Sequence, residues 1–222
     1  MLSKLLLLPL TLLTPLATSA SVLPSKSHPR TTSTQALTQI LQIVPAASSC
    51  SNAPVAAECA TAARAAPYLI AAMLQYQIYT LPEMGALLAL MGYESGDFKY
   101  NINHYPGRPG QGTRNMQMPE YNLQYALSIP ALGSKLKAVT TATTTEGLAD
   151  DVLNGIRDLV NTDEYTWASA AWYYSTQCSA TVKAELKKGT DAGWEGYLGC
   201  VGVGESADRT AYWTRAKAAF GL

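Results

Sequence analysis

Glu94 occupies a position where a carboxyl group is costly, and it is the strongest chemical signal in the chain. It follows the apolar run from Met84 to Met91, within the segment GYESGDF at residues 92–98. A negative charge at the C-terminal end of a helix opposes the helix dipole, and partial burial disfavours the ionised form. Both effects raise the pKa of the carboxyl group, as a general acid near neutral pH requires.

Other polar and aromatic side chains follow Glu94 in three separate segments. Asp97 is the nearest acid, and it could position a water molecule or cap a turn. GTRNMQMP at residues 112–119 and AAWYY at residues 170–174 supply amide and phenol groups. The aromatic residues could equally fill the core, because aromatic side chains do both. His104 is the only histidine beyond residue 28, so a site with several histidine ligands for zinc is not expected.

The elements that must position Glu94 are helical. Thr80 and Glu83 have the spacing of a capping box, with Pro82 in the first turn, which predicts a helix start. At 100° per residue, Glu94 lies roughly 60° from Met91, at the edge of the buried stripe. The stripe has the spacing i, i+3, i+4, i+7 and consists of Met84, Leu87, Leu88 and Met91.

Helical periodicity extends over most of the remaining chain. Residues 95–115 are the exception, because their Asn, Pro and Gly residues exclude regular structure and predict a ligand-facing loop. We predict one all-α domain, residues 34–222, with eight or nine helices and no sheet. Helical periodicity covers ten stretches of the chain, which are residues 33–44, 55–64, 68–79, 81–94, 120–129, 131–139, 148–160, 166–177, 180–188 and 207–220.

Composition excludes some partners. The 222 residues carry a formal net charge of +0, so no basic surface for nucleic acid or anionic lipid is expected. Residues 1–20 have the pattern of a secretory signal peptide, with Lys4 before an apolar stretch and small residues at the end. Residues 21–33 are expected to be a flexible leader or a propeptide. The predicted location is therefore extracellular, with no membrane span in the mature chain.

Secretion determines how the four cysteines are interpreted. In an oxidising compartment two disulfides are expected rather than free thiols or metal ligands. We favour the pairs Cys50–Cys59 and Cys178–Cys200 over the two other pairings, because each closes a local loop between helical segments.

Three segments in order resemble a known family. Glu94-Ser95-Gly96, then GTRNMQMP, then AAWYY resemble the motifs of soluble lytic transglycosylases and goose-type lysozymes, over about residues 80–180. The chain departs from that pattern, because Asp97 precedes Phe98 and Tyr174 stands where asparagine is usual. The resemblance implies a lysozyme-like helical fold, and the departures imply that the chain is a divergent member of the family.

The resemblance also implies a function. Glu94 would protonate the glycosidic oxygen of a β-1,4-linked amino-sugar polymer, with peptidoglycan as first choice and a chitin-like glycan second. Asp97 would be a second catalytic carboxylate only at the separations that glycosidases use, about 5–9.5 Å. Ligand contacts are expected from Ser95, His104, Met116, Gln117, Tyr173 and Tyr174.

Two alternatives to catalysis stay open at this stage. One is a catalytically inactive glycan-binding or effector protein on the same scaffold, and the other is an unrelated disulfide-linked helical interaction domain. Acid-catalysed glycoside cleavage needs no metal and no organic cofactor, so none is expected. The sequence does not indicate an oligomeric state.

Overall fold

The computed structural model describes residues 30–222, and this part of the chain is all α-helical. Short 3-10 helices occupy Pro45–Ser48 and Pro130–Leu132. Within the described residues the only β pairing consists of two isolated bridges, from Gly112 to Ile102 and to Gln117. The α-helices are α1 (Arg30–Ile43), α2 (Ala62–Gln75), α3 (Leu81–Glu94), α4 (Pro119–Ser128), α5 (Gly133–Val139), α6 (Asp150–Val160), α7 (Asp163–Thr166), α8 (Ser169–Gln177), α9 (Ala180–Leu186), α10 (Asp191–Cys200) and α11 (Ala207–Phe220).

The predicted all-α class is confirmed, with eleven α-helices in residues 30–222 instead of eight or nine. The predicted signal peptide and most of the predicted leader lie outside the described residues, and α1 begins inside the leader at Arg30. Every helix in residues 30–222 falls short of the length and apolar content that a membrane span requires.

The helix that ends at Glu94, α3, is the central helix of the fold. Residues 85–92 are all buried, and α3 packs against α1, α8, α9 and α11. Gly92 allows one close approach, because a Cβ there would lie 2.6 Å from Val44 Cγ2. The predicted start is confirmed, although Thr80 Oγ1 donates to the Glu83 side chain at 2.6 Å instead of capping the backbone.

The sequence patterns missed two α-helices: α10, and α7 apart from Thr166. Glycine recurs at every third residue within Asp191–Cys200, and glycine costs about 1 kcal/mol relative to alanine inside a helix. Gly193 has a packing reason, since a Cβ there would lie 2.5 Å from the Glu185 carbonyl oxygen of α9. The predicted helix over residues 55–64 is wrong, because residues 55–58 form a bend and a turn, residues 59–61 have no regular structure, and α2 begins only at Ala62.

Both predicted disulfides are present. Cys50–Cys59 closes the turns before α2, with a Cα–Cα distance of 5.9 Å. Cys178–Cys200 joins the ends of α8 and α10, with a Cα–Cα distance of 5.6 Å. Two disulfides fit a protein that folds in an oxidising compartment, and secretion itself stays a prediction.

The long loop after α3 is held from inside by Arg114. This side chain is buried, and it donates to the carbonyl oxygens of Phe98 and Tyr100 at 2.9 Å and of Glu58 at 2.6 Å. Its guanidinium also lies 4.6 Å from the ring centroid of Trp167. These contacts fix the loop as a wall beside the end of α3.

Candidate functional site

Glu94 lies where two depressions of the surface meet. The inner cleft has a volume of about 160 Å³ and includes Glu94, Gln117 and Tyr173. The outer cleft has a volume of about 370 Å³ and includes Glu94 and His104. Both share Glu94 and two loop residues, Gln111 and Met116. The carboxyl group of Glu94 therefore lies where the inner and the outer cleft join.

The environment of Glu94 favours its protonated form. Burial raises the pKa of Glu94 above the usual range of a glutamate, and the Arg209 guanidinium partly offsets this effect. Arg209 Nη2 lies 3.2 Å from Glu94 Oε1, and both side chains are mostly buried. A carboxyl group in this state can donate a proton nearer to neutral pH than a free glutamate does.

A line of amide groups forms one wall of the inner cleft. Gln117 is buried, and its Nε2 donates to Asn122 Oδ1 at 3.1 Å. Asn115 Oδ1 accepts hydrogen bonds from Thr113 at 2.7 Å and from Ser169 at 2.6 Å. The Gln111 side chain donates to the Met116 carbonyl oxygen at 3.0 Å. The wall is therefore preorganised by its own hydrogen bonds.

The adjacent tyrosines of α8 face different surroundings. Tyr173 lines the inner cleft, and its hydroxyl donates to the Cys200 carbonyl oxygen at 3.2 Å. Tyr174 is buried beside the other end of α3, where its hydroxyl donates to Glu83 Oε1 at 2.8 Å. Of these two predicted contacts, only Tyr173 lies at the cleft.

The two predicted residues nearest to Glu94 turn away from the clefts. Ser95 is fully buried, and its Oγ donates to the Met91 carbonyl oxygen at 2.6 Å and accepts from the Phe98 amide at 3.0 Å. Asp97 accepts a hydrogen bond from the Tyr212 hydroxyl at 2.7 Å. Neither residue lines the inner or the outer cleft.

His104 lines the outer cleft as part of the loop wall. Its Nε2 lies 2.7 Å from Glu58 Oε1, and Glu58 Oε2 accepts hydrogen bonds from the amides of Asn101 and Ile102. Glu58 precedes Cys59, so the first disulfide region and the loop are joined at this point.

Several cleft residues could not be identified from sequence patterns. Tyr121 at the start of α4 and residues 201–203 after α10 complete the inner cleft. Arg209 also belongs to this site, because it contacts Glu94 from 115 residues away in the chain. No local sequence pattern predicts an ion pair between residues this far apart in the chain.

An apolar groove, separate from the two clefts, lies along the other half of α3. This apolar groove, between α1, α2, α3 and α11, has a volume of about 260 Å³. Leu74, Tyr79 and Leu81 are large apolar side chains on its rim that stay exposed. Its lining contains no charged residue and consists of Gln35, Ala36, Gln39, Ile40, Leu69, Ile70, Met73, Leu74, Ile78, Tyr79, Leu81, Met84, Leu88 and Phe220.

Metal-ligating side chains do not gather at either depression. Within residues 30–222 no group of three or more His, Cys, Asp or Glu side chains is arranged to hold a metal ion. All four cysteines of the chain are in disulfides.

The fold and the site together define a class: an all-helical, disulfide-linked domain with a mostly buried carboxyl group in a cleft lined by amides. A stretch of 160 residues, 72% of the chain, is 47% identical to part of a bifunctional dioxygenase–epoxy alcohol synthase from Fusarium oxysporum (strain Fo5176). The chain matches only 12% of the length of that enzyme. No protein-family model matches the chain, and no solved structure matches it.

This similarity corrects the functional predictions made from sequence motifs. The resemblance to lytic transglycosylases and lysozymes is wrong as a family assignment, because the relative found is an oxygenase and synthase. The predicted cleavage of an amino-sugar polymer, the glycan-binding alternative and the predicted polysaccharide partner are corrected with it. The lysozyme-like label for the fold has no support among solved structures.

Proposed function

We propose that the Glu94 cleft is an acid–base site that opens a reactive C–O bond, with epoxy alcohols as the substrate class. One observation carries this proposal: the carboxyl group of Glu94 lies at the junction of two clefts, with its pKa raised by burial. A raised pKa at a position open to ligands is the arrangement that general acids require.

The reaction would be the addition of water to an oxirane. Glu94 donates its proton to the ring oxygen while one C–O bond breaks, and a water oxygen bonds to the carbon that is released. The proton lost by that water returns to the carboxylate. An epoxy alcohol and one water therefore give a triol, and no oxidant or reductant is consumed.

The composition of the inner cleft supports an oxygenated chain as substrate. Gln111, Asn115 and Gln117 offer amide groups to hydroxyl groups, whereas Leu90 and Val203 offer apolar surface. Ligand sites commonly combine a mostly apolar lining with a few fixed polar groups. The Fusarium relative supports the chemical class, because its name includes an epoxy alcohol synthase.

Turnover is expected to depend on pH through Glu94. The general acid must be protonated, so the rate should fall as the pH rises through the pKa of Glu94. Because burial raises that pKa, the fall should occur at a higher pH than the pKa of an ordinary glutamate. The measurement is triol formation from a long-chain epoxy alcohol in heavy-oxygen water, followed by mass spectrometry. One heavy oxygen per triol is expected. The proposal would be refuted if the protein formed no more triol than the protein-free control at pH values both below and above this fall in rate.

The apolar groove favours a second function, the binding of a hydrocarbon chain. Monomeric proteins rarely expose large contiguous apolar patches without a binding role. Exposed Leu74, Tyr79 and Leu81 surround this groove, and no charge lines it. An epoxy alcohol carries its two oxygen functions on a carbon skeleton, so the class named for the relative supports a ligand with an apolar part.

Replacing Leu74 with lysine should weaken binding to the groove by about tenfold or more, because the ligand chain would lose the apolar contact of this side chain. Binding is measured by the fluorescence of a polyene fatty acid. The matched control is Leu127→Lys, since Leu127 is 50% exposed on α4 and lies away from the groove. Equal affinity in the two variants would exclude the groove as the binding site.

A further inference from the structure

Arg209 reaches Glu94 from a different helix and is held at several points. It lies in the first turn of α11, where its amide donates to the Ser206 side chain at 3.2 Å. Its Nη1 donates to the Gly204 carbonyl oxygen at 3.1 Å, and its guanidinium lies 4.6 Å from the ring centroid of Tyr93. The carboxyl group and the segment beyond α10 are therefore linked through one side chain.

The bond between Arg209 and Glu94 is a single contact. Only Nη2 reaches the carboxylate, at 3.2 Å, whereas the strongest pairs of arginine with carboxylate use two shorter parallel bonds. Arg209 Nε is buried and has no hydrogen-bond partner in the described part of the chain. The guanidinium is thus close enough to orient the carboxylate without being locked to it.

Among the residues that the structure describes, no lysine or second arginine lines either cleft. His104 lines the outer cleft, but its ring contacts Glu58 on the loop wall. The ionisable groups that face Glu94 from the packed helices are the phenols of Tyr121 on α4, Tyr173 on α8 and Tyr197 on α10. Burial raises the pKa of Tyr173 and of Tyr197, so both are uncharged at neutral pH.

We infer that Arg209 is the positioning residue of this site: it holds the Glu94 carboxylate in the ligand-free cleft and releases it when Glu94 acts as an acid. The inference rests on the proposed function for its catalytic meaning. The single long bond suits this role, because it can be exchanged for a bond to a ligand oxygen. The link to Gly204 also makes the wall at residues 201–203 sensitive to the same exchange.

The test is a carbon-13 NMR titration of the Glu94 carboxyl group, assigned by its loss in Glu94→Gln. In Arg209→Gln the pKa of Glu94 should shift upward, because burial remains while the favourable charge is removed. Arg209→Lys keeps the charge and should show a smaller upward shift. Arg215→Gln is the matched control, since Arg215 lies on the same helix over the Tyr212 ring without contacting Glu94.

An unchanged pKa of Glu94 in Arg209→Gln would overturn the inference, as would an equal shift in Arg215→Gln. The titration needs no substrate, so its result is independent of the triol assay. A missing triol with a shifted pKa would refute the proposed reaction and keep the role of Arg209. Where turnover is present, the pH at which the rate falls should be higher in Arg209→Gln than in the wild type, by the same amount as the pKa measured by NMR.

Discussion

Replacing Glu94 with glutamine is expected to lower kcat/KM for epoxy alcohol opening by about 10²- to 10⁴-fold, the usual contribution of a general acid. Glutamine keeps the shape and the hydrogen-bonding reach of the side chain, but it has no acidic proton to transfer to the substrate. Rates of triol formation by the wild type and the variant provide the measurement. The matched control is Glu195→Gln, because Glu195 is an exposed glutamate of α10 that lines neither cleft.

The loss should not come from unfolding. Burial raises the pKa of Glu94 in the folded state, so protonation stabilises the fold below the unfolded pKa, and that contribution is lost as the pH rises through the folded pKa. At neutral pH the neutral glutamine should therefore leave the melting temperature unchanged or higher. Full turnover in Glu94→Gln would disprove the role assigned to this carboxyl group, and a lower melting temperature would disprove the account of its environment.

Replacing Arg114 with methionine is expected to lower the free energy of unfolding by about 3–5 kcal/mol. Methionine can occupy most of the volume, but it leaves the carbonyl oxygens of Glu58, Phe98 and Tyr100 without their donor. Burial lowers the pKa of Arg114 to about 10, so the guanidinium is still charged at neutral pH. Urea denaturation followed by circular dichroism measures the change.

Arg64→Met is the control for the effect of Arg114. Arg64 makes an ion pair with Asp163 at 2.6 Å, and half of its side chain is exposed. Its removal should cost about 0–1 kcal/mol, as for other surface pairs. Equal losses in the two variants would mean that Arg114 is not the internal support of the cleft wall.

Local sequence patterns predicted much of the secondary structure for a physical reason. The start of α3 at Leu81 depends on residues within one turn, and the loop after α3 depends on its own glycines and prolines. Both disulfides close short segments, so their pairing could be predicted from neighbouring helices. α10 was missed because the close packing of Gly193 on α9 outweighs the low helix propensity of its glycines.

The motif resemblance failed because local structural requirements produce the same letters. Ser95 follows Glu94 as a buried cap that bonds both Met91 and the Phe98 amide. Gln117 pairs with Gly112 through the backbone, and Pro119 starts α4. Each of these residues has a structural role in this segment that is independent of any reaction. Short motifs of this kind therefore indicate a geometry and leave the reaction undetermined.

The sequence by itself determined the helical class, the two disulfides and the placement of Glu94 at the end of an apolar helix, because each follows from the periodicity or pairing of nearby residues. Only the tertiary structure decided that Arg209 is the partner of Glu94, that Tyr173 and not Tyr174 lies at the cleft, and that an apolar groove opens beside α3. These features depend on how helices far apart in the chain pack together, and local spacing does not encode that arrangement.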